Sequence, residues 1–243
     1  MGFNIAWCIT GAGHFLLESF EVFLQLVKDM DVRVTTFLSC AGEEVARIYG
    51  VLDRLHQVSP GGYYQEIILE REQGKSFPKA GRLARGTYAA LVISPATANT
   101  VAKIAYGIAD TLVTSAFAQA QKGSVPAYIV PTDYREGTIV TKLPTIIDHD
   151  VCVGCDTCLP LERCPTNAIE LIEKPTIDLT RCRGCKICVE LCPYGAISFG
   201  REIKAEVRKL DEENVRKISL FGGVTVLKHP SEILEAISSL GVK

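Results

Sequence analysis

The stretch LVISPATANT, residues 91–100, joins an apolar run directly to a run of small polar residues. Leu91, Val92 and Ile93 are typical of a buried strand, which ends at Ser94-Pro95. Residues 99–106 are predicted to form a helix. In open sheets of parallel strands, ligands bind where strands end and helices begin. This stretch therefore predicts a central strand followed by a binding loop.

The same alternation continues on both sides of this stretch. Apolar and β-branched runs predict further strands at residues 4–9, 32–38, 66–69 and 127–130. Helical spacing of apolar residues predicts helices at residues 14–28, 43–58 and 111–121. Strands that alternate with helices of this length form βαβ units, so the fold class is α/β with a mostly parallel sheet.

The composition narrows the function classes. The chain has 243 residues, 47% of them hydrophobic and 22% charged, which is enough for a packed core. Its net charge of −2 gives no electrostatic reason to expect a nucleic acid or an anionic membrane as partner. The first Lys or Arg is Lys28, and the apolar region 88–120 is interrupted by polar residues. We therefore expect a soluble cytoplasmic protein without a secretory leader or a membrane span.

The cysteines form an internal repeat. Eight of the 10 lie between Cys152 and Cys192, in a segment that is rich in turns. The run CVGCDTC at residues 152–158 recurs as CRGCKIC at residues 182–188, and a Cys-Pro pair follows each run, at Cys164 and Cys192. In a reducing compartment such a pattern indicates metal or redox chemistry rather than disulfides. We interpret the segment as a duplicated small domain.

The second half of the repeat has the spacing C-x2-C-x2-C-x3-C-P, which is typical of bacterial ferredoxins with [4Fe–4S] clusters. Three thiolates on one tight loop reach three corners of a cluster, and the fourth must come from elsewhere in the chain. In such ferredoxins the fourth cysteine of each run serves the other cluster. The predicted ligands are therefore, for the first cluster, Cys152, Cys155, Cys158 and Cys192, and for the second, Cys182, Cys185, Cys188 and Cys164.

Two features qualify this assignment. Five residues, 159–163, separate the third and fourth cysteines of the first run where three are usual, which lengthens a loop but removes no ligand. Two zinc sites or a disulfide knot are the alternatives, although zinc ribbons use Cys-x2-Cys pairs with longer spacers. The remaining cysteines, Cys8 and Cys40, are expected to be small buried residues rather than ligands.

The cysteine segment is predicted to be an insertion. A charged stretch, residues 203–218, follows it and is expected to be helical, and a strand at 224–227 and a helix at 230–240 come next. The last two elements would complete the sheet of the first domain. The predicted division is one domain of residues 1–147 plus 203–243, and a two-cluster ferredoxin-like domain of residues 148–202.

Two loops carry candidate cofactor ligands. The turn Thr10-Gly11-Ala12-Gly13 joins the first strand to a helix, where free N–H groups favour a phosphate. It lacks the dinucleotide fingerprint, since Leu16 stands where that motif needs Gly or Ala, and Ser39 ends the second strand in place of an acid, so a mononucleotide is favoured over NAD. The second loop supplies further polar groups, at Ser94, Thr97, Asn99 and Thr100.

Residues 94–100 resemble the P-A-S-A-N-T motif of the homo-oligomeric flavin-containing cysteine decarboxylase family, and the similarity extends over most of residues 1–147. The resemblance implies a flavodoxin-like, doubly wound domain that binds FMN. It also implies assembly into trimers or larger closed oligomers, with flavin sites completed by a neighbouring subunit. The implied FMN contacts are Gly11, Ala12, Ser39, Thr97, Asn99 and Thr100. Decarboxylation and prenyl transfer are doubtful, because residues 131–134 read PTDY where those enzymes carry P-A-M-N or an arginine.

A flavin domain with an inserted two-cluster ferredoxin is similar in organisation to the archaeal acceptor-dependent dihydromethanopterin reductase family. The resemblance implies reduction of the C=N bond of dihydromethanopterin to give tetrahydromethanopterin. Electrons would come from a low-potential donor such as a ferredoxin and pass through the two clusters to FMN. The alternative is an electron-transfer relay without a small-molecule substrate of its own.

The residues that handle protons and substrate are not evident from the sequence. Proton donors could come from His14, His56, Tyr63 and Tyr64, although a lone His or Tyr near a turn is more often structural. A basic loop could hold the acidic tail of a methanopterin or could simply be solvated; its residues are Lys75, Lys79, Arg82 and Arg85.

Overall fold

Six parallel strands form the central sheet of the computed structural model, which describes residues 3–241. The strands are β1 (Phe3–Ile9), β2 (Val32–Leu38), β3 (Ile67–Leu69), β4 (Ala90–Ala96), β5 (Ala127–Pro131) and β12 (Val224–Val226). Their order is β12-β5-β4-β1-β2-β3, and every pair of neighbours is parallel. Without the short edge strand β3, this is the flavodoxin-like order. The predicted doubly wound α/β sheet is confirmed, including the contribution of β12 from the end of the chain.

Helices cover both faces of this sheet. They are α1 (Leu16–Asp29), α2 (Cys40–Ile48), α3 (Ala98–Ala105), α4 (Leu112–Lys122), α7 (Lys209–Ile218) and α8 (Glu232–Ser238). Three single-turn or two-turn 3₁₀ segments, Leu52–Gln57, Glu70–Glu72 and Ala80–Arg85, lie in the connections. Helices α1 and α8 contribute to the core on one face, and α3, α4 and α7 to the core on the other.

Strand β1 shows how the two cores are built. Ile5, Trp7 and Ile9 pack into the core beside α1, and Cys8 points into the opposite core, as alternation along a strand requires. Trp7 is fully buried and stacks on Phe23 of α1 with a ring-centroid distance of 4.2 Å. Because β1 is buried on both faces, its sequence is apolar throughout rather than alternating.

The helix predicted at residues 43–58 is interrupted. Helix α2 ends at Ile48, and Gly50, with φ of +71°, turns the chain before the 3₁₀ segment Leu52–Gln57. The Gly50 N–H group bonds to the Arg47 carbonyl oxygen at 3.0 Å, which closes the end of the helix. A glycine in the left-handed region is a common helix stop, so the sequence contained the signal.

An antiparallel ribbon of two strands connects the central sheet to the cysteine segment. It consists of β6 (Gly137–Lys142) and β11 (Glu202–Val207), which pair along their full length. The prediction of one helix over residues 203–218 is therefore wrong in its first part, since only α7 is helical there. The alternation of Ile203, Ala205 and Val207 with charged residues is typical of a strand, and pairing with β6 stabilises that conformation.

The cysteine segment itself is small and contains two antiparallel strand pairs. Strand β7 (Ile146–Ile147) pairs with β10 (Ile197–Ser198), and β8 (Ile169–Leu171) pairs with β9 (Pro175–Ile177). Of two short helices, α5 (Leu159–Glu162) follows the first cysteine run and α6 (Ile187–Leu191) begins within the last residues of the second. Among residues 3–241 there is no helix whose length and apolarity would suffice to cross a bilayer.

Candidate functional site

The carboxyl ends of β1, β2 and β4 lie side by side at one edge of the sheet. The chain leaves β1 toward β2 on one side, whereas β4 and β5 lie on the other, so the order of strands reverses between β1 and β4. Ligands of open α/β sheets bind at this reversal point. The two loops singled out in the sequence, after β1 and after β4, meet there.

Thr10 ties these two loops together. Its hydroxyl donates to the Pro95 carbonyl oxygen at 2.7 Å and accepts a hydrogen bond from the Thr97 N–H group at 2.9 Å. Its own N–H group bonds to the same carbonyl at 3.3 Å. Thr10 is 1% exposed. Its side chain therefore shapes the bend at residues 94–97, and its hydroxyl is already engaged within the protein.

Ser94 is likewise buried and engaged. Its hydroxyl bonds to the Ser19 hydroxyl on α1 at 2.7 Å, and its carbonyl oxygen accepts from the Trp7 indole N–H at 2.8 Å. The peptide bond between Ser94 and Pro95 is cis. The Thr132 N–H group, at the end of β5, donates to the Ala96 carbonyl oxygen at 2.9 Å. Hydrogen bonds from β1, from α1 and from the end of β5 therefore hold this bend in place.

The start of α3 presents the remaining polar groups of this loop. Thr97 caps the helix by accepting from the Thr100 N–H group at 3.2 Å, and the two hydroxyls bond at 3.0 Å. Asn99, in the first turn, is exposed. The first N–H groups of a helix lack partners within it, and the helix dipole favours an anion at this end. An exposed amide beside such an end suits a phosphate or the polar edge of a planar ring.

The start of α2 lies beside the first loop. Ser39 caps this helix by accepting from the Gly42 N–H group at 3.0 Å. A Cβ on Gly11 would lie 2.6 Å from the Cβ of Ala41, so the loop after β1 packs directly on the first turn of α2. Thus Gly11, Ser39 and Thr97 are brought together at the carboxyl edge of the sheet. Because these residues are small, they leave that edge open.

Cys40 corrects one expectation. Unlike Cys8, which is fully buried, Cys40 is exposed at the first turn of α2. Partial burial and the neighbouring carboxylate of Glu70 raise the pKa of its thiol.

The predicted cluster ligands separate into two groups in space. Cys152, Cys155, Cys158 and Cys192 line one pocket of about 510 Å³. Cys164, Cys182, Cys185 and Cys188 line a second, much narrower pocket of about 20 Å³. Within residues 3–241, no three His, Cys, Asp or Glu side chains converge as tightly as a single metal ion requires. Each pocket combines three cysteines of one run with the fourth of the other, as [4Fe–4S] ligation requires.

Backbone hydrogen bonds repeat between the two halves. The Cys152 and Cys182 N–H groups bond to the carbonyls of Asp148 and Asp178, at 3.0 and 3.1 Å. The Asp148 N–H group reaches the Ala196 carbonyl at 2.7 Å, and its counterpart from Asp178 to Ala168 has the same length. The duplication seen in the sequence is therefore a structural pseudo-symmetry.

Two thiols of the second group of cysteines have shifted pKa values. Burial raises the pKa of Cys188 to about 11, and proximity to the other three thiols of its group, Cys182, Cys185 and Cys164, adds to the increase. Cys164 behaves oppositely: burial raises its pKa, but hydrogen bonds from the N–H groups of Thr166 and Ala168 outweigh this and lower it. The Ala168 N–H group lies 3.2 Å from Cys164 Sγ. Cys164, Cys182, Cys185 and Cys188 would bind a cluster as thiolates, and the positive charge of the iron would offset the repulsion among them.

The second cysteine run rests against the sheet domain. Arg47 near the end of α2 donates to the carbonyl oxygens of Cys182 and Leu179, at 2.6 and 3.1 Å. Gly184 packs on the chain between Ile48 and Gly50 so closely that a Cβ there would overlap the backbone. The second group of cysteines is thus held in direct contact with α2.

Tyr49 connects three parts of the molecule. Its hydroxyl donates to the Lys142 carbonyl oxygen in β6 at 2.7 Å. Its ring meets Phe199 edge-on at 5.9 Å, and Gly13 in the first loop leaves room for its hydroxyl. The Lys186 ammonium, in the second cysteine run, lies 4.0 Å from the Phe199 ring centroid. Neither Arg47 nor Tyr49 belongs to a local motif, so these contacts could not be predicted from the sequence.

The residues proposed for protons and substrate are dispersed. His14 stacks near Phe15, and burial lowers its pKa. His56 is exposed and bonded to the Asp53 carbonyl oxygen. Tyr63 and Tyr64 lie beside Arg82, whose guanidinium stacks over the Tyr63 ring at 4.7 Å. The structure does not bring His14 and His56 together with these tyrosines as one group.

The basic loop is partly neutralised. Arg82 and Lys79 both form ion pairs with Glu66, the latter at 2.8 Å. Hydrogen bonds from Arg82 and then Lys79 lower the pKa of Glu66 to about 2, although burial acts in the opposite direction. Of the four basic side chains, only Lys75 and Arg85 are exposed without such a pairing to Glu66.

Comparison with known proteins identifies the family. The flavoprotein family model matches residues 1–136, and the 4Fe-4S binding domain model matches residues 175–198. A dihydromethanopterin reductase (acceptor) of Methanosarcina mazei is 50% identical over 96% of this chain and 98% of its own length. The chain belongs to the family of the dihydromethanopterin reductases (acceptor). A second family member, from Methanocaldococcus jannaschii, is 51% identical over 96% of this chain and 94% of its own length.

The family likeness extends to a solved structure. DmrB of Burkholderia xenovorans, crystallised with FMN and described as a cubic protein cage for redox transfer, superposes with a TM-score of 0.63. The identity is 26%, and the match covers 98% of this chain and 94% of DmrB. The family resemblance drawn from the sequence is confirmed, as is a flavoprotein domain combined with a 4Fe-4S domain.

Proposed function

We propose that this protein is an oxidoreductase that reduces dihydromethanopterin to tetrahydromethanopterin. One observation carries the proposal: two cysteine quartets, each suited to a [4Fe–4S] cluster, are built into the same chain as a flavoprotein-type sheet, and the second cysteine run lies against the sheet domain. The near full-length similarity to two reductases of that name supports the substrate. When bound, FMN accepts electrons one at a time and delivers them in pairs, whereas each cluster carries one.

We assign FMN to the edge formed by the loops after β1, β2 and β4. Backbone groups near Gly11 and Ala12 and at the starts of α2 and α3 would bind its phosphate. Asn99 and Thr100 would contact the cofactor directly, and the hydroxyls of Ser39 and Thr97 would hold the two helix starts in place. Thr10 and Ser94 would act indirectly, because their hydroxyls are engaged in shaping the bend. The crystal complex of DmrB with FMN supports this choice of cofactor.

We propose that the first cysteine quartet is the outer one and the second the inner one. The contacts of Arg47 and Gly184 with the second run support this order, because they hold that run against α2. A low-potential donor such as a ferredoxin would then dock near the first quartet. The proposed domains are residues 1–147 plus 203–243 and residues 148–202, with the ribbon of β6 and β11 forming the junction.

The protein is proposed to work as a homo-oligomer based on trimers, which the cubic cage described for DmrB supports. Eight thiols that must remain free to ligate iron require a reducing compartment, so we place the enzyme in the cytoplasm.

An anaerobic preparation tests the proposed function. Iron, sulfide and FMN are quantified per chain, the protein is reduced with dithionite, and dihydromethanopterin is added while the flavin spectrum is followed. We expect about eight irons and reoxidation of the flavin with formation of tetrahydromethanopterin. Reoxidation only by a partner protein, and not by the pterin, would contradict the reductase and indicate an electron relay.

A further inference from the structure

A buried hydroxyl lies at the second cysteine pocket without a partner. Thr145 is 1% exposed, and its Oγ1 atom makes no hydrogen bond. The residue lines the same pocket as Cys164, Cys182, Cys185 and Cys188. A hydroxyl that is buried without a hydrogen-bond partner destabilises the folded state, so native proteins rarely contain one unless a ligand supplies the partner.

The pseudo-symmetry of the cysteine segment shows what stands at the equivalent position of the first pocket. Ile147 pairs with Ile197 in one half, and Ile177 pairs with Ile169 in the other, which makes Ile147 and Ile177 equivalent. Two residues before each of them stand Thr145 and Pro175. Pro175 lines the first pocket as Thr145 lines the second, and it has neither a hydroxyl nor an N–H group to donate. At this position the second pocket therefore has a donor that the first pocket lacks.

We propose that the Thr145 hydroxyl donates a hydrogen bond to a sulfur of the second cluster and makes that cluster the more easily reduced of the two. The proposal rests on the two-cluster function proposed above. Adding an electron to a cluster increases its negative charge, and a hydrogen bond to a sulfur stabilises that charge, so the reduction potential rises. The acceptor sulfur is either a cysteine thiolate or an inorganic sulfide, both of which carry negative charge.

The position of this hydroxyl suits the proposed direction of electron flow. The second cysteine run is the one held against α2 by Arg47. A higher potential at the second cluster makes the step from the first cluster to the second favourable, and so draws electrons toward the sheet domain. Thr145 would then be a positioning and tuning residue, not a catalytic one, because it contacts neither flavin nor substrate.

The test is a redox titration of the holoenzyme, monitored by electron paramagnetic resonance, which measures the reduction potential of each cluster. Thr145→Val removes the hydroxyl while keeping the shape of the side chain, and Thr145→Ser restores it. Thr176→Val is the matched control, since Thr176 follows Pro175 in β9 and so projects to the opposite face from it. Cys188→Ser and Cys155→Ser identify which of the two transitions belongs to which cluster.

We expect Thr145→Val to lower the potential of one cluster, the one that Cys188→Ser also perturbs, and to leave the other unchanged. Thr145→Ser and Thr176→Val should retain both wild-type potentials. Two unshifted transitions in Thr145→Val, or equal shifts of both, would overturn the role of Thr145 while leaving the two-cluster function intact. A wild-type protein that lacks iron would overturn both.

Discussion

The backbone of Gly184 lies against that of Gly50, so closely that a Cβ on Gly184 would overlap the Gly50 nitrogen and the Ile48 carbonyl oxygen. This contact joins the second cysteine run to the end of α2. It is reinforced by Arg47, which donates to two carbonyl oxygens of the cysteine segment. Backbone packing therefore fixes the position of the second cysteine run relative to the end of α2.

Gly184→Ala should loosen this junction. The substitution costs about 1–2 kcal/mol for the left-handed φ of +62°, and a further ~1–3 kcal/mol for the overlap with α2. Gly154→Ala is the matched control, because Gly154 has φ of +67° in the equivalent position of the first run but nothing within 4 Å of an added Cβ. Denaturation curves of the two variants measure the difference in their free energies of unfolding.

The same pair of variants has a kinetic readout. We expect flavin reduction after rapid mixing with dithionite to be slower in Gly184→Ala than in Gly154→Ala, since only the first displaces the second cysteine run from α2. Equal losses of stability and equal rates of flavin reduction in the two variants would show that the close contact contributes neither to stability nor to electron transfer.

The cysteine quartets predict the iron content of single variants. Cys155→Ala and Cys185→Ala should each lose one cluster, so that iron falls from about eight to about four per chain. Cys192→Ser should perturb the same spectral signal as Cys155→Ala, because the two residues line one pocket despite their distance in sequence. Cys40→Ala, outside both pockets, should retain all the iron. Perturbation by Cys192→Ser of the signal that Cys185→Ala removes would contradict the crossed ligation.

Thr10→Val should weaken flavin binding through the bend at residues 94–97. The substitution leaves the Pro95 carbonyl and the Thr97 N–H group with one hydrogen bond fewer each, which costs about 1–3 kcal/mol in a buried site. Because the start of α3 follows directly, we expect FMN affinity to fall about tenfold, equivalent to about 1.4 kcal/mol. Fluorescence titration of the apoprotein with FMN measures this affinity.

Thr36→Val provides the comparison for that experiment. The Thr36 hydroxyl is fully buried and bonded to Ser59 at 2.8 Å, away from the bend. This variant should lose a similar amount of stability and keep the wild-type FMN affinity. A parallel loss of affinity in both variants would mean that general destabilisation, and not the bend, controls cofactor binding.

Glu66 should make the fold dependent on pH in the acid range. Its pKa is lowered to about 2 by Arg82 and Lys79, from an unfolded value of about 4.3. A carboxyl with a lower pKa in the folded state stabilises the fold above its unfolded pKa and loses that contribution as the pH falls toward the folded value. Glu66→Gln should therefore lower the free energy of unfolding at neutral pH by roughly 1–3 kcal/mol, a figure reduced by the partial exposure of Glu66.

The pH profile distinguishes this effect from a general loss of packing. The stability difference between wild type and Glu66→Gln should be constant above about pH 5 and shrink between about pH 4.5 and pH 2. Glu213→Gln, at an exposed position of α7, should show no such profile. A difference for Glu66→Gln that does not change with pH would rule out the ion pairs as its source.

The features that could be predicted from the sequence are those encoded by local spacing. Apolar runs followed by helical periodicity predicted the parallel sheet, and the two Cys-x2-Cys-x2-Cys runs with their Cys-Pro pairs predicted which cysteines would share a pocket. Residues 203–207 were assigned wrongly because their charged composition suggested a helix, whereas pairing with β6, more than 60 residues earlier, makes them a strand. A strand conformation is decided by its partner, which lies outside any local window.

The functional consequences of side-chain burial required the folded molecule. The sequence alone predicted a parallel α/β sheet and two quartets of cysteines, because cysteine spacing and strand–helix alternation are properties of short segments. Only the tertiary structure decided which quartet meets α2, that Thr10 and Ser94 are engaged internally, and that Thr145 is buried at one pocket and matched by Pro175 at the other. These facts depend on contacts between residues far apart in the chain, and such contacts exist only after the chain has folded.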